Sequence, residues 1–193
     1  MKQVLKKFLI FILLVMCNNP YVLADTYRVF FHNPSPFYSM KIETIDSYCF
    51  RKDGRFRLYP QEGAPITLHP FGSDYGDIDD FNTKSCIDDA KYITWKITAT
   101  PIHPEINHLK TFTANLEFLH KKSGGKWRTV LAATNLPGDL GDKFFSKVEC
   151  MSKNGYPSDC LTHDPSSSDG GWFDIEHVTI DLFDIQDDIM CSN

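Results

Sequence analysis

Apolar residues recur at every second position through most of this chain, and that period constrains the fold more than any other feature. Ile93, Trp95, Ile97 and Ala99 alternate with Thr94, Lys96, Thr98 and Thr100. Phe112, Ala114, Leu116 and Phe118 alternate with Thr113, Asn115, Glu117 and Leu119, and Val178, Ile180 and Leu182 with Thr179 and Asp181. Successive side chains of a strand point to opposite faces, so each run has one core-facing side and one mostly polar side. The same reading predicts strands at Tyr27 to His32, Tyr38 to Phe50, Arg55 to Tyr59, Ile66 to His69, Lys126 to Ala133 and Phe144 to Met151. Two runs change phase: Ile45 breaks the parity of Met40 and Ile42, and Phe173 and Ile175 break that of Val178. Each break is a β-bulge or a strand end.

The punctuation suits hairpins. Lys122-Ser123-Gly124-Gly125-Lys126 separates two alternating runs, and Arg51-Lys52-Asp53-Gly54-Arg55 places Asp-Gly where a tight turn needs positive φ. No window of a dozen residues has a convincing helical period; Asp181 to Met190 comes nearest. The expectation is a single all-β domain, an antiparallel β-sandwich of about eight or nine strands, with a β-barrel as the alternative. The motif Val29-Phe30-Phe31-His32-Asn33-Pro34-Ser35 reads as the start of an edge strand.

The first 24 residues stand apart. Lys2, Lys6 and Lys7 precede an apolar run from Phe8 to Cys17, and Val22-Leu23-Ala24 puts small residues just before Asp25. That arrangement predicts a secretory signal peptide over 1–24, cleaved after Ala24, with the domain occupying 25–193. No other stretch approaches the roughly 18–20 apolar residues that span a bilayer. The expectation is a soluble, secreted or periplasmic protein with no transmembrane segment after cleavage. Cys17 is a lipidation candidate, but bulky Met16 before it favours its reading as the last apolar residue of the signal core.

Without the signal, 17 basic residues face 25 acidic ones, a net charge of −8 against −5 for the whole chain. A surface of that sign is repelled by phosphate backbones and anionic headgroups, which argues against nucleic acid as a partner. Five cysteines remain, and an oxidising compartment would pair them. Cys150 and Cys160 flank a turn-like segment and are expected to bond. The second bridge draws on Cys49, Cys86 and Cys191, leaving one thiol that could link two molecules. No Cys-x-x-Cys pair or zinc-ligand spacing occurs.

Three groups of residues invite a functional reading. Asp74, Asp77, Asp79 and Asp80 concentrate hard oxygen ligands in what reads as a loop, a calcium candidate that lacks the EF-hand spacing; a solvated acidic loop is the plainer reading. His163-Asp164 before Ser166 to Ser168 suggests a hydrolase, yet no Gly-x-Ser-x-Gly elbow accompanies it and exposed loops use the same residues. Trp127 follows a hairpin turn and Trp172 a glycine pair, so both are candidates for exposed aromatic contacts, whereas Trp95 lies on a core parity. The resulting expectation is a non-enzymatic partner-binding protein without a cofactor, the partner being a protein, a glycan or a host surface. A secreted hydrolase and a membrane-active β-protein are the alternatives.

Overall fold

The computed structural model describes residues 25–50, 55–56, 65–80, 86–103, 105, 109–123, 125–138, 140–152, 155–162 and 175–182. Twelve strands are found among them: β1 (Thr26–His32), β2 (Tyr38–Tyr48), β3 (Arg55–Phe56), β4 (Ile66–Leu68), β5 (Ser73–Asp79) and β6 (Lys91–Pro101), then β7 (Phe112–Ser123), β8 (Lys126–Thr134), β9 (Phe145–Ser152), β10 (Ser158–Asp159), β11 (Leu161–Thr162) and β12 (Ile175–Leu182). One 3-10 turn at Gly141–Phe144 is the sole helical element among the described residues.

The strands form two six-stranded sheets packed face to face. The first has the order β10-β9-β12-β1-β5-β3, and the second β11-β8-β7-β6-β2-β4. This is the expected β-sandwich, and no barrel closes. Most neighbours are antiparallel, but β1 runs parallel to β12 and β8 parallel to β11, so both sheets are mixed. The edge-strand reading of Val29 to Ser35 is corrected, because β1 is flanked on both sides, by β12 and by β5.

The inward parity of each sheet fills the core. Trp95 and Phe31 are fully buried, their rings 5.4 Å apart and nearly perpendicular, and Phe118 meets Trp95 at 6.5 Å. Edge-to-face aromatic pairs suit the ring quadrupoles, and they join β1 of the first sheet to β6 and β7 of the second. Truncating such a side chain to alanine costs about 3–5 kcal/mol.

Both phase breaks coincide with register shifts, although Phe173 lies outside the described residues. β2 shifts register against β6 between Thr44 and Asp46, and β12 against β9 between Ile175 and His177. Ile45 is the extra residue in β2 and is 51% exposed. The hairpin expected between Lys122 and Lys126 forms: Ser123 faces Lys126, and Gly125 takes φ +78°, while Gly124 lies outside the described residues. The Asp53-Gly54 turn lies outside the described residues.

Two disulfides sit where the chain changes sheets. Cys150–Cys160 matches the expected pair, and the second bridge is Cys49–Cys86. Cys49 follows β2 of the second sheet, has φ +57°, and precedes Phe50, which bridges Asp80 at the end of β5. Cys160 lies between β10 of the first sheet and β11 of the second. The first bond ties the crossover at Cys160 to strand β9, and the second ties Cys49 to the segment leading into β6. Cys17 and Cys191 lie outside the described residues.

At the opposite end, Asn33 holds two turns together. Its buried side-chain amide donates to the carbonyls of Tyr38 at 2.8 Å and His69 at 3.0 Å, and its Oδ1 accepts from the Ser35 N–H at 3.1 Å. The neighbouring Gly72 N–H donates to the His69 carbonyl, and a Cβ on Gly72 would lie 2.8 Å from that oxygen. Asn33→Ala leaves buried carbonyls without donors and is expected to lower stability by about 2–3 kcal/mol. Urea unfolding with an unchanged slope is the check.

Candidate functional site

Two features of the sandwich concentrate chemistry: a buried polar centre at one end and an exposed tyrosine patch on the outer face of the second sheet.

The buried centre grows out of the acidic run. The structure corrects the loop reading of Asp74 to Asp80: Ser73–Asp79 is a strand, β5, pairing with β1 along its length. Alternation therefore separates the four acids. Asp74 and Asp80 face inward and are buried, whereas Asp77 and Asp79 face out. Asp77 accepts Arg28 Nε at 2.7 Å and Nη2 at 3.3 Å, and Asp79 accepts the Thr26 hydroxyl at 2.7 Å. Among the described residues, no group of three or more His, Cys, Asp or Glu side chains has the geometry to hold a metal ion.

Asp80 carries the network across the core. Lys91, at the first position of β6, has a side chain 1% exposed and its Nζ bonded to Asp80 Oδ2, while Oδ1 accepts the Asp25 N–H at 2.8 Å. The Asp80 N–H in turn donates to the Asp25 carbonyl at 3.1 Å. Beside Lys91 in the second sheet stands His120, and next to it Thr129. One His120 ring nitrogen bonds the Tyr27 hydroxyl at 3.3 Å and the other the Thr129 hydroxyl at 3.0 Å. A neutral imidazole donates through one nitrogen and accepts through the other, and either hydroxyl can supply the complementary role.

Trp127 completes the layer. It is half-buried, stacks on His120 at 4.8 Å with 5° between the planes, and has the Lys91 and Lys122 ammonium groups 4.9 and 6.0 Å from its ring centroid. Sequence-predicted Asp80 and Trp127 thus meet through Lys91, with one face of the half-buried tryptophan stacked on His120. Trp172, His163, Asp164 and Ser166 to Ser168 lie outside the described residues.

Burial pulls the His120 pKa down to about 4, and the nearby Lys91 charge acts in the same direction; the Asp25 carboxylate opposes both. A histidine held neutral in this way fits a structural hydrogen-bond relay between the sheets.

The second feature went unread in the sequence. Met40 and Ile42 face the core, so strict alternation would turn Tyr48 inward as well. The bulge at Ile45 reverses that parity. Asp46 then pairs with Thr94, and Tyr48 with Tyr92, on the outer face. The two tyrosine rings stack at 6.1 Å with 25° between planes. Tyr48 donates its hydroxyl to Asp89 at 3.1 Å and Tyr92 to Asp46 at 3.2 Å, and both phenols are held above their ordinary pKa chiefly by those bonds. Glu117 lies beyond Thr94 on the same face, and its pKa is raised by burial and then by the Asp46 charge. Tyr48, Ile45 and Ile87 are 42%, 51% and 46% exposed. The Cys49–Cys86 bond, one residue from Tyr48 and one from Ile87, holds this corner together.

Comparison with known proteins returns no match among family models, curated proteins or solved structures.

His120 gives the polar centre a pH signature. The unfolded chain takes up a proton near pH 6.5 that the folded chain refuses until about pH 4. Stability from this site is therefore complete above pH 6.5 and declines as pH falls toward 4, by about 2–3 kcal/mol. Unfolding followed across pH 7 to 4 should show this slope in the native protein, and His120→Gln should flatten it.

Proposed function

We propose that this chain is an exported, non-enzymatic β-sandwich that binds a partner protein through the outer-face patch of Ile45, Asp46, Tyr48 and Tyr92. The observation that carries the reading is the stacked Tyr48–Tyr92 pair, with Ile45 exposed on the same strand and acids on both sides. Rigid aromatic rings that lose little entropy on contact are the side chains on which interfaces concentrate their energy. The disulfide at the end of β2 fixes the backbone that presents them.

The chemistry of the patch selects a class of partner. Aliphatic side chains next to the rings favour a protein over a sugar face, and Asp46, Asp89 and Glu117 favour lysine or arginine over acids. The net charge of −8 expected for residues 25–193 adds long-range attraction of the same sign. Export accounts for the signal-like first 24 residues and agrees with two disulfides and with the absence, among the described residues, of a helix able to cross a membrane.

A peptide library graded in Lys and Arg content, screened beside a glycan array, tests this assignment. Basic peptides carrying a bulky apolar residue should be selected, with binding weakened at least about 10-fold by Tyr48→Ala or Asp46→Lys and by raised salt. Selection of glycans alone, or binding indifferent to both substitutions, would remove the assignment.

A further inference from the structure

The position of Asp25 links the polar centre to the maturation of the chain. Its backbone nitrogen lies 2.8 Å from Asp80 Oδ1, and Asp80 is 2% exposed. The other carboxylate oxygen holds Lys91, also buried. Asp25 is at the same time the residue on which the signal-peptide pattern ends. Sequence and geometry therefore converge, independently, on one nitrogen atom.

We propose that cleavage between Ala24 and Asp25 creates an α-ammonium group that joins Lys91 as a second cation on the buried Asp80 carboxylate, so that processing completes the core. Hydrolysis of that peptide bond consumes one water and needs only an export-pathway protease. The hydroxyl goes to the Ala24 carbonyl and hydrogen to the Asp25 nitrogen, which takes up a further proton because an α-amino group has a pKa of about 7.7–8.0. A neutral N–H donor becomes a cationic one with three hydrogens, and charge-assisted bonds to carboxylates are roughly twice as strong as neutral ones.

The surroundings accept the new charge. Asp80 and the exposed Asp25 carboxylate supply two negative charges; Lys91 and the α-ammonium supply two positive ones. Among the described residues, His120 beside Lys91 is neutral near pH 7 because its pKa lies at about 4, Asp79 accepts the Thr26 hydroxyl, and Lys122 lies at the Trp127 ring. The Asp80 N–H bond to the Asp25 carbonyl and the Thr26 hydroxyl bond to Asp79 hold the terminus in register beside the carboxylate. Before cleavage the same position offers only a peptide N–H, and the precursor folds to a less stable product. That order suits a chain that must cross a membrane unfolded and fold afterwards.

The inference shares the export reading with the proposed function, and two measurements separate them. The intact mass of the exported protein should correspond to residues 25–193; any other start overturns the inference. Thermal unfolding is then compared for the chain beginning at Asp25, the chain retaining Ala24, and the Asp25 chain with an acetylated α-amine. The last two should melt about 3–6 °C below the first. In an Asp80→Asn background the three should melt together, and Asp80→Asn/Lys91→Met serves the same purpose if the single variant does not fold. Equal melting of the three native-sequence chains, or a gap that survives removal of the Asp80 carboxylate, refutes the role of the ammonium whatever the fate of the binding assignment.

Discussion

The Asp80–Lys91 pair is the constraint around which the sandwich closes. Each charge comes from a different sheet, and both are withdrawn from water. Desolvating two ions costs several kcal/mol apiece, so such a pair persists only when its remaining hydrogen-bonding capacity is also met. Here both oxygens of Asp80 are engaged, and the Trp127 ring lies beside the ammonium. The pair does little for net stability compared with an apolar substitute, but it penalises any packing of the two sheets that leaves one charge unmatched. Register between the sheets is thereby fixed at this end, as Asn33 fixes it at the other.

Between these ends the core is held by interlocking rings, and the covalent bonds fall where the ladder cannot help. A chain passing from one sheet to the other gives up strand pairing for a few residues. Cys49 and Cys160 occupy two such passages. The bond at Cys49 has a second consequence, because it stiffens the corner that displays Tyr48. Fold and candidate interface share that element, whereas the polar centre is buried and the tyrosine patch faces outward. Acid weakening of the His120 relay thus acts on the scaffold, and charge reversal at Asp46 on the surface.

Much of the architecture was legible from periodicity. The long strands β6 and β7 carry unbroken alternation, and the β7–β8 hairpin is marked by paired glycines. The β5 strand was not legible, for a physical reason. Aspartate and glycine are depleted in strands, and here they make up five of the seven residues from Asp74 to Asp80, all but Tyr75 and Ile78. What makes the strand tolerable is its partners: Arg28, Thr26 and Lys91 neutralise or bond its acids, and none is near in sequence to all of them. The bulge at Ile45 was visible only as a break in phase, and the tyrosine pair it exposes needed the register of β2 against β6.

By itself the sequence determined the class of structure: two-period strands, glycine turns, a compact core parity and the Cys150–Cys160 bond across a ten-residue separation. These are local properties, set by side-chain alternation and by turns of a few residues. Only the tertiary structure decided that β1 lies centrally and parallel to β12, that Asp80 meets Lys91 and Asp25, and that Tyr48 faces outward. Those outcomes depend on which distant segments share a sheet and in what register. A shift of one residue exchanges the two faces of a strand, so no local pattern fixes them.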